Sequence, residues 1–210
     1  MARTRSDIGP RIVEAARARF LREGVDGASL RAIAKDARTS IGMVYYYFPT
    51  KDDLFFAVVE ETYGVVLEDM TRACAADVAP AERMRRVYQR VAALTEREAL
   101  TIRLVLREVL VSSTRFRRLF ARFERGHFPL VLATLADGIA DGTFRGDLPP
   151  TVMLVLALSI GALPQFLLQQ VKPSRTAKAS SLPDMLLDVL LHGLGAAKPP
   201  RPKRVLKRAR

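Results

Sequence analysis

The sequence has few of the side chains that enzymes and metal sites use. Its 210 residues include one cysteine, Cys74, and two histidines, His127 and His192, which lie far apart. A single cysteine cannot form an internal disulfide, and the histidines have no H-x-x-x-H or C-x-x-C neighbours that would bind a metal ion. The motifs G-x-S-x-G, G-x-x-x-x-G-K-[ST] and G-x-G-x-x-G are also missing. The sequence therefore predicts a protein that is not an enzyme and has no metal site and no cofactor.

Long apolar runs are scarce as well. No charged residue occurs between positions 148 and 171, but prolines 149, 150 and 164 and three glutamines interrupt this stretch. The run 152–163 has 12 residues, which is the length of a buried helix and is too short for a membrane span. No charged-then-apolar leader opens the sequence. These absences predict a cytoplasmic protein that does not span a membrane.

Acidic residues are in deficit, with 22 Asp and Glu against 34 Lys and Arg, so that the formal net charge is +12. This excess favours a polyanionic partner, with nucleic acid first and an anionic membrane surface second. Seven basic residues, three prolines and no acidic residue fall in the segment 198–210. Because that segment lacks apolar periodicity, it is predicted to be a disordered basic tail.

Strand patterns are also missing. No stretch alternates apolar and polar residues between turn signals, whereas apolar residues recur at spacings of three and four through almost the whole chain. The predicted fold is all-α. The first helix has Pro10 in its first turn and the apolar residues Val13, Ala16 and Phe20, and Gly24 is its predicted end.

Two short helices follow, at 30–37 and 41–48, and a turn at Arg38 and Thr39 joins them. Ser29 and Ser40 are their predicted N-caps, and Pro49 ends the second one. A tight pair of this size has the dimensions of a helix-turn-helix, whose second helix lies in the major groove of DNA.

The outward face of helix 41–48 suits such contacts. If Val44 and Phe48 point inward, the outward side chains are those of Gly42, Met43, Tyr46 and Tyr47. Residues of the types that bind phosphates surround this face, namely Ser29, Thr39, Ser40, Tyr45 and Lys51. Thr50 and Asp53 form a capping-box pattern that leaves Lys51 at the start of the next helix, which is a favourable position for an anion. Simple core filling by the tyrosines is the alternative interpretation.

The segment 29–55, SLRAIAKDARTSIGMVYYYFPTKDDLF, resembles the DNA-binding segment of the TetR family of one-component transcriptional regulators. The resemblance rests on IA at 33–34, YYYF at 45–48 and K-x-x-L at 51–54, and beyond residues 9–58 it covers only the architecture. It implies a homodimer, a palindromic double-stranded DNA operator, and a small molecule whose binding to the C-terminal domain releases the DNA. Most members of such a family are repressors.

Carried over position by position, the resemblance assigns two sets of contacts. The residues near base edges are Arg31, Ile41, Gly42, Met43 and Tyr47. The residues near phosphates are Ser29, Thr39, Ser40, Tyr45, Tyr46 and Lys51. Two positions depart from the family pattern. Arg38 stands where glycine is frequent, so a strained turn is expected. Ile41 replaces a polar base reader, so it either contacts thymine methyls or packs inward.

Two apolar helices are predicted near the end of the chain, at 151–171 and 182–194. A monomer would leave their apolar faces exposed, whereas the same faces from two subunits form a four-helix bundle. The predicted dimer interface consists of Leu154, Leu158, Met185, Val189 and Leu190.

The body of the chain has few polar groups that could converge on a ligand. The predicted ligand-binding residues are Met70, Met84, Tyr88, Arg103, Arg107 and His127, although the same residues also suit an ordinary core. Apolar pockets with few polar groups bind lipophilic molecules. A mainly hydrophobic effector is expected, with a polar or anionic end that an arginine contacts.

The resulting division of the chain is a helix-turn-helix DNA-binding domain at 1–53, a larger helical effector-binding and dimerisation domain at 54–197, and the basic tail at 198–210. Two alternatives remain, namely a helical small-molecule-binding protein and a nonspecific basic DNA binder that uses the tail. The stretch 115–128, RFRRLFARFERGHF, places phenylalanines on one helix face and arginines opposite them. It fits either a core face backed by solvated charges or a membrane-surface helix.

Overall fold

The computed structural model of the chain describes residues 7–170 and 182–194, so the predicted basic tail at 198–210 lies outside the described residues. Within these two ranges the chain forms ten helices and no strand, and the all-α prediction is confirmed. The helices are α1 (Ile8–Gly27), α2 (Leu30–Asp36), α3 (Ile41–Tyr47), α4 (Lys51–Ala73), α5 (Pro80–Ala92), α6 (Glu96–Val111), α7 (Ser113–Glu124), α8 (His127–Ala140), α9 (Pro150–Gln170) and α10 (Leu182–Leu194).

The first three helices pack on the start of α4. Phe20, Ile33 and Val44, one from each short helix, are fully buried in a single hydrophobic cluster together with Leu54 and Phe55 of α4. The rings of Phe20 and Phe55 meet edge to face, with their centroids 6.4 Å apart. This packing stabilises α2 and α3, because helices of seven residues are too short to persist alone. The same cluster continues into α6 and α7, so the N-terminal helices share a core with the body.

The helix ends agree with the caps and stops predicted from the sequence, with two exceptions. Ser40 and Thr50 accept hydrogen bonds from the backbone N–H groups of Met43 and Asp53, at 3.2 and 3.0 Å. Ser29 occupies the N-cap position of α2, but its side chain makes no capping hydrogen bond. Gly24 interrupts α1 with a φ of +79°, and the chain then makes one more turn to Gly27 instead of ending at Gly24. A positive φ costs glycine little, which explains the residue type at this kink.

The body packs α5, α8, α9 and α10 around a second hydrophobic cluster. Its fully buried members include Met84, Val131, Met153, Ala157 and Leu190. Helix α9 approaches α5 so closely that a Cβ at Gly161 would lie 2.0 Å from a ring carbon of Tyr88. Glycine at 161 therefore sets the distance between these two helices. No helix within 7–170 and 182–194 is long and apolar enough to span a bilayer.

Candidate nucleic-acid interface and ligand cavity

All eleven predicted DNA-contact residues lie on four neighbouring pieces of chain: the cap and first turn of α2, the turn that follows, α3, and the first residue of α4. Arg31, Gly42, Tyr45 and Tyr46 are exposed, as are the two serines. Tyr46 is the most exposed aromatic side chain of this group, at 78%. Since α3 buries Val44 completely, the helix is fixed to the core by one face and presents the opposite face to solvent.

Three of the predicted base-contact residues, Ile41, Met43 and Tyr47, are half-buried. Ile41 and Tyr47 both pack against the first hydrophobic cluster, so the inward alternative for Ile41 agrees with the structure. The expectation that Tyr47 points fully outward is wrong: its ring contacts Tyr46 edge to face at 5.4 Å and lies 3.4 Å from where a Cβ of Gly9 would be. Ile41 and Tyr47 therefore help to hold α3 on the core, and only part of each side chain is accessible from the outer face.

The turn between α2 and α3 has the strained backbone that its sequence predicts. Arg38 has a φ of +51°, the left-handed region that glycine adopts at little cost. Arg11 of α1 stabilises this turn, because its guanidinium donates hydrogen bonds to the carbonyl oxygens of Ala37 and Arg38. The sequence pattern gave no indication of this role for Arg11, which lies 27 positions before the turn.

Lys51 has a partner within the protein. Its Nζ donates a hydrogen bond to the backbone carbonyl of Asp26, at 2.8 Å. The ammonium group therefore lies at the junction between the end of α1 and the start of α4, beside the N-terminal turn of α4. Two of its three N–H donors remain for another acceptor.

A buried arginine connects the first helix to the body. Arg17 of α1 is 3% exposed, and its Nη1 donates to the hydroxyls of Thr62 in α4 and Thr101 in α6, at 3.1 and 2.6 Å. Its Nη2 donates to Glu61 at 2.6 Å. A guanidinium can hold several acceptors in one plane, so α1, α4 and α6 meet in fixed register at this residue. Sequence reasoning missed this contact because its partners are 44 to 84 positions away.

A second arginine makes a similar connection from α7. Arg115 is buried, and its guanidinium pairs with Glu108 at 2.8 Å, with Asp52 at 2.9 Å and with Asp26. These hydrogen bonds hold the pKa of Asp26 below its ordinary value. The placement also corrects the expectation for α7, since Arg115 lies on the buried face whereas Phe116 and Phe120 are exposed. Charge pairing, rather than an aromatic stripe, fixes this end of α7.

The body contains a cavity of about 250 Å³ between α4, α5, α6 and α9, with α7 and α8 closing one end. Four of the six predicted ligand-binding residues, Met70, Met84, Tyr88 and His127, line it. Sequence periodicity could not single out the other lining residues, which are Val59, Thr62, Tyr63, Val66, Val87, Val91, Thr101, Ile102, Val105, Leu106, Phe123, Ala157, Leu158, Gly161 and Ala162. The cavity is therefore mostly apolar, with five residues that carry a hydroxyl or an imidazole.

Arg103 and Arg107 do not line the cavity, contrary to expectation. Arg103 is exposed. Arg107 points toward α1, where its guanidinium donates to the carbonyl oxygens of Phe20 and Leu21. Both arginines lie on α6, but the helix turns a different face, with Thr101, Ile102 and Val105, toward the cavity. The cavity consequently has no arginine to meet an anionic ligand.

The polar end of the cavity is a tyrosine–histidine pair. The Tyr63 hydroxyl lies 2.9 Å from Nδ1 of His127 and accepts a hydrogen bond from the His127 backbone N–H at 3.2 Å. Burial, together with the nearby Arg122 guanidinium, lowers the pKa of His127 to about 4. Burial also raises the pKa of the Tyr63 phenol. Both groups are therefore neutral near pH 7.

The predicted dimer residues divide into two groups. Leu154 and Leu190 are buried in the second cluster of their own protomer, which corrects the expectation that they form the interface. Met185 and Val189 are 58% and 56% exposed, while Leu158 is half-buried. Further exposed apolar side chains accompany them on α9, namely Val152, Val155, Leu156, Leu163 and Leu167. The outer surface of α9 and α10 is thus apolar, but its exposed residues on α9 are not the predicted Leu154 and Leu158. Elsewhere in the described chain, no three His, Cys, Asp or Glu residues are grouped to hold a metal ion.

Comparison with known proteins gives consistent results. Residues 12–58 match the family of bacterial regulatory proteins described as tetR family. The transcriptional regulator UidR of Escherichia coli K12 is 28% identical over 162 residues, which is 73% of this chain and 78% of UidR. The transcriptional repressor SCO4008 of Streptomyces coelicolor is 43% identical over 51 residues, or 24% of this chain and 27% of that protein.

Solved structures share the fold over nearly the whole chain. A bacterial regulatory protein of the tetR family from Rhodococcus RHA1 superposes with a TM-score of 0.72 at 22% identity, and the match covers 91% of this chain and 98% of that one. The transcriptional regulator FadR of Bacillus subtilis, solved in complex with stearoyl-CoA, gives a TM-score of 0.72 at 20% identity, with 88% and 98% covered. Residues 12–58 therefore match the tetR family of bacterial regulatory proteins, and the chain shares its fold with a solved regulatory protein of that family.

Proposed function

We propose that this protein is a dimeric repressor that binds a palindromic operator and leaves it when a small hydrophobic effector occupies the cavity. The observation that carries the proposal is the position of Arg17. This residue belongs to the first helix of the DNA-binding region, yet two of its hydrogen-bond acceptors, Thr62 and Thr101, line the cavity. One hydrogen bond therefore links each of these two cavity-lining threonines to α1, the helix that shares a hydrophobic cluster with α2 and α3.

For DNA, the proposal assigns specificity to Arg31 and to the exposed side chains of α3. An arginine that reads a guanine edge supplies directional hydrogen bonds, whereas Ile41 has none to offer. The serines, Thr39, Tyr45, Tyr46 and Lys51 supply phosphate contacts that fix the orientation of α3 in the groove. Gly42 lets the helix approach closely, because it has no side chain.

For assembly, the proposal uses the apolar outer surface of α9 and α10. Two copies that bury Met185, Val189 and the exposed residues of α9 against each other form a four-helix bundle. A twofold dimer places its two recognition helices on the same side, to read half-sites about 34 Å apart in successive major grooves. The palindromic operator follows from this symmetry.

For regulation, a ligand has to bind the released state more tightly than the DNA-bound state. The route that we propose starts at the wall formed by Thr62 and Thr101. A ligand that spreads this wall pulls the hydroxyls from Arg17 and lets α1 rotate with the helix-turn-helix attached to it. That rotation changes the separation of the two recognition helices, and one of the half-sites is lost. FadR of Bacillus subtilis, solved with stearoyl-CoA, offers a precedent for a ligand in this fold.

The proposal is tested with an operator selected from random DNA and with two variants. Arg31→Ala is expected to relax the preference at one base pair per half-site, at a cost of about 1 to 3 kcal/mol. Lys51→Ala is expected to weaken binding to operator and random duplex alike and to reduce the salt slope by about one unit. Lys35→Ala, which removes an exposed lysine on α2 outside the predicted set, is the matched control.

Three outcomes count against the proposal. Equal affinity for every duplex would indicate a nonspecific DNA binder, and an unchanged salt slope would remove Lys51 from the phosphate contacts. In a second step, the operator complex is challenged with a panel of hydrophobic and hydrophilic compounds. Retention of DNA with every compound would contradict effector control.

A further inference from the structure

The cavity has no charged side chain among the residues that line it. Its polar groups are the hydroxyls of Thr62, Tyr63, Tyr88 and Thr101 and the imidazole of His127. Arg17 lies behind the two threonines, and its Nη groups are already bonded to them and to Glu61. An ionised carboxylate or phosphate inside the cavity would lose its hydration without gaining a counter-charge, which is strongly unfavourable. The lining therefore selects against charged ligands.

Three of the four hydroxyls have already used their hydrogen atoms within the protein. Tyr88 donates to the carbonyl of Ala157 at 2.8 Å, and Thr101 donates to the carbonyl of Arg97 at 3.0 Å. The Thr62 hydroxyl lies 3.1 Å from the Thr101 oxygen, which is its acceptor once Thr101 has donated to Arg97. A ligand gains no donor from these groups unless it breaks an existing bond.

The fourth hydroxyl, that of Tyr63, lies 2.9 Å from Nδ1 of His127. Because its oxygen already accepts the backbone N–H of His127, we assign its hydrogen to Nδ1 of the same residue. A neutral imidazole whose Nδ1 accepts a hydrogen bond carries its proton on Nε2. The ring is neutral because burial lowers its pKa to about 4. His127 thus retains one N–H donor that no protein group in the described chain uses.

We infer that the cavity selects a compact, uncharged, largely apolar ligand with one hydrogen-bond acceptor that faces Nε2–H of His127, such as an aryl or cyclic ketone. This inference rests on the proposed function, in which the cavity is the effector site. A cavity of about 150 Å³ binds benzene, so a volume of about 250 Å³ corresponds to about ten non-hydrogen atoms. A long-chain acyl-CoA, the class of ligand seen with FadR, exceeds this volume and brings charges that the lining does not match.

The test uses the full-length protein and three ligands of matched size: butylbenzene, butyrophenone and 4-phenylbutyrate. Affinity is measured by calorimetry, and release of the selected operator is measured in parallel. We expect the ketone to bind about fivefold more tightly than the hydrocarbon, which corresponds to one net hydrogen bond. The carboxylate is expected to bind at least tenfold more weakly than the ketone at pH 7.

Two variants identify the donor. His127→Phe retains an aromatic ring but has no N–H, so the ketone is expected to lose its fivefold advantage while the affinity for butylbenzene stays within twofold. Tyr63→Phe removes the group that fixes the tautomer and is expected to reduce the advantage partially. His192→Phe, at an exposed position on α10, is the matched control and leaves all affinities unchanged. Retained butylbenzene binding shows that each variant cavity is folded.

The outcomes separate this inference from the proposed function. If stearoyl-CoA or 4-phenylbutyrate binds more tightly than the ketone and releases DNA, the ligand class is wrong and effector control stands. If the ketone binds as expected but the DNA is retained, the ligand class stands and effector control fails. The inference is also overturned if none of the three ligands binds, or if His127→Phe keeps the advantage of the ketone.

Discussion

At the scale of single residues, the most informative positions are those whose chemistry departs from their surroundings. Arg38 has a left-handed backbone that glycine would adopt more easily, and Arg17 and Arg115 are buried cations in a chain that exposes most of its charge. His127 is a neutral histidine in an apolar cavity. Arg38, Arg115 and His127 each lead to a prediction about stability that the sequence pattern alone does not provide.

Arg38→Gly is expected to stabilise the fold. An L-residue in the left-handed region costs about 1 to 2 kcal/mol, of which the greater freedom of glycine in the unfolded chain offsets about 0.5 to 1 kcal/mol. The net gain in the free energy of unfolding should be about 0.5 to 1 kcal/mol, measured by urea denaturation. Arg38→Ala keeps the strain and serves as the control. Equal loss of stability in both variants would show that the arginine side chain, not the backbone, determines the turn.

His127 predicts a pH dependence of stability. Its pKa is about 4 in the folded protein and about 6.5 when unfolded, so between these values the unfolded chain binds more protons. The contribution of His127 to the free energy of unfolding is therefore fully present above pH 6.5 and falls as the pH drops toward 4. At pH 5 the loss should be about 2 kcal/mol. His127→Phe should lack this component when its urea denaturation at pH 7 and pH 5 is compared with that of the parent. Identical pH profiles for the two proteins would contradict the burial effect.

At the scale of helices, buried ion pairs and hydrogen bonds link helices that also pack through apolar side chains. The first cluster packs α1, α4, α6 and α7 together, and Arg17 and Arg115 add directional hydrogen bonds between these helices. Arg115 is the more important of the two for stability, because its partner Glu108 is 2% exposed. A buried carboxylate that loses its cation is far more costly than an exposed one.

Arg115→Met is expected to lower the free energy of unfolding by about 3 kcal/mol, because it leaves Glu108 buried without its nearest cation. Arg118→Met, on the exposed face of the same helix and paired with Asp53 at 3.5 Å, should cost less than about 1 kcal/mol. The double variant Arg115→Met with Glu108→Gln should recover part of the loss. Denaturation of the four proteins gives the comparison, and equal costs for the two single variants would mean that the pair at 115 contributes no more than a surface contact.

At the scale of the whole molecule, the apolar outer surface of α9 and α10 is the interface that we propose for the dimer. Val189→Glu adds a charge to an exposed apolar surface and is expected to convert the dimer to a folded monomer with reduced operator affinity. Leu190→Glu, one position along, places the charge in the protomer's own core and is expected to unfold the protein. Size-exclusion chromatography with light scattering, together with circular dichroism, distinguishes the two results. A folded dimer of the Val189→Glu variant would locate the interface on another surface.

The fold class and the position of the DNA-binding helices could be predicted from local sequence signals. These signals are the apolar spacing, the caps at Ser40 and Thr50, and the residues of 29–55. They are local because helices form from contacts three and four residues apart. The strained turn at Arg38 also followed from its residue type. Four cavity residues were found in the same way, because methionine, tyrosine and histidine are unusual on otherwise aliphatic stripes.

Which side chains contact one another depends on how the helices pack, and the local pattern does not contain that information. Leu190 and Val189 are equally apolar neighbours, yet one fills the core and the other faces solvent, because the packing of α10 on α5 and α9 fixes the rotation of the helix. The same holds on α6, where Thr101 faces the cavity and Arg103 and Arg107 point away from it. Arg11 bonds to Ala37, Arg17 to Thr101 and Arg115 to Asp26, which lie 26, 84 and 89 positions away. A pattern that reads three or four residues ahead contains no information about such pairs.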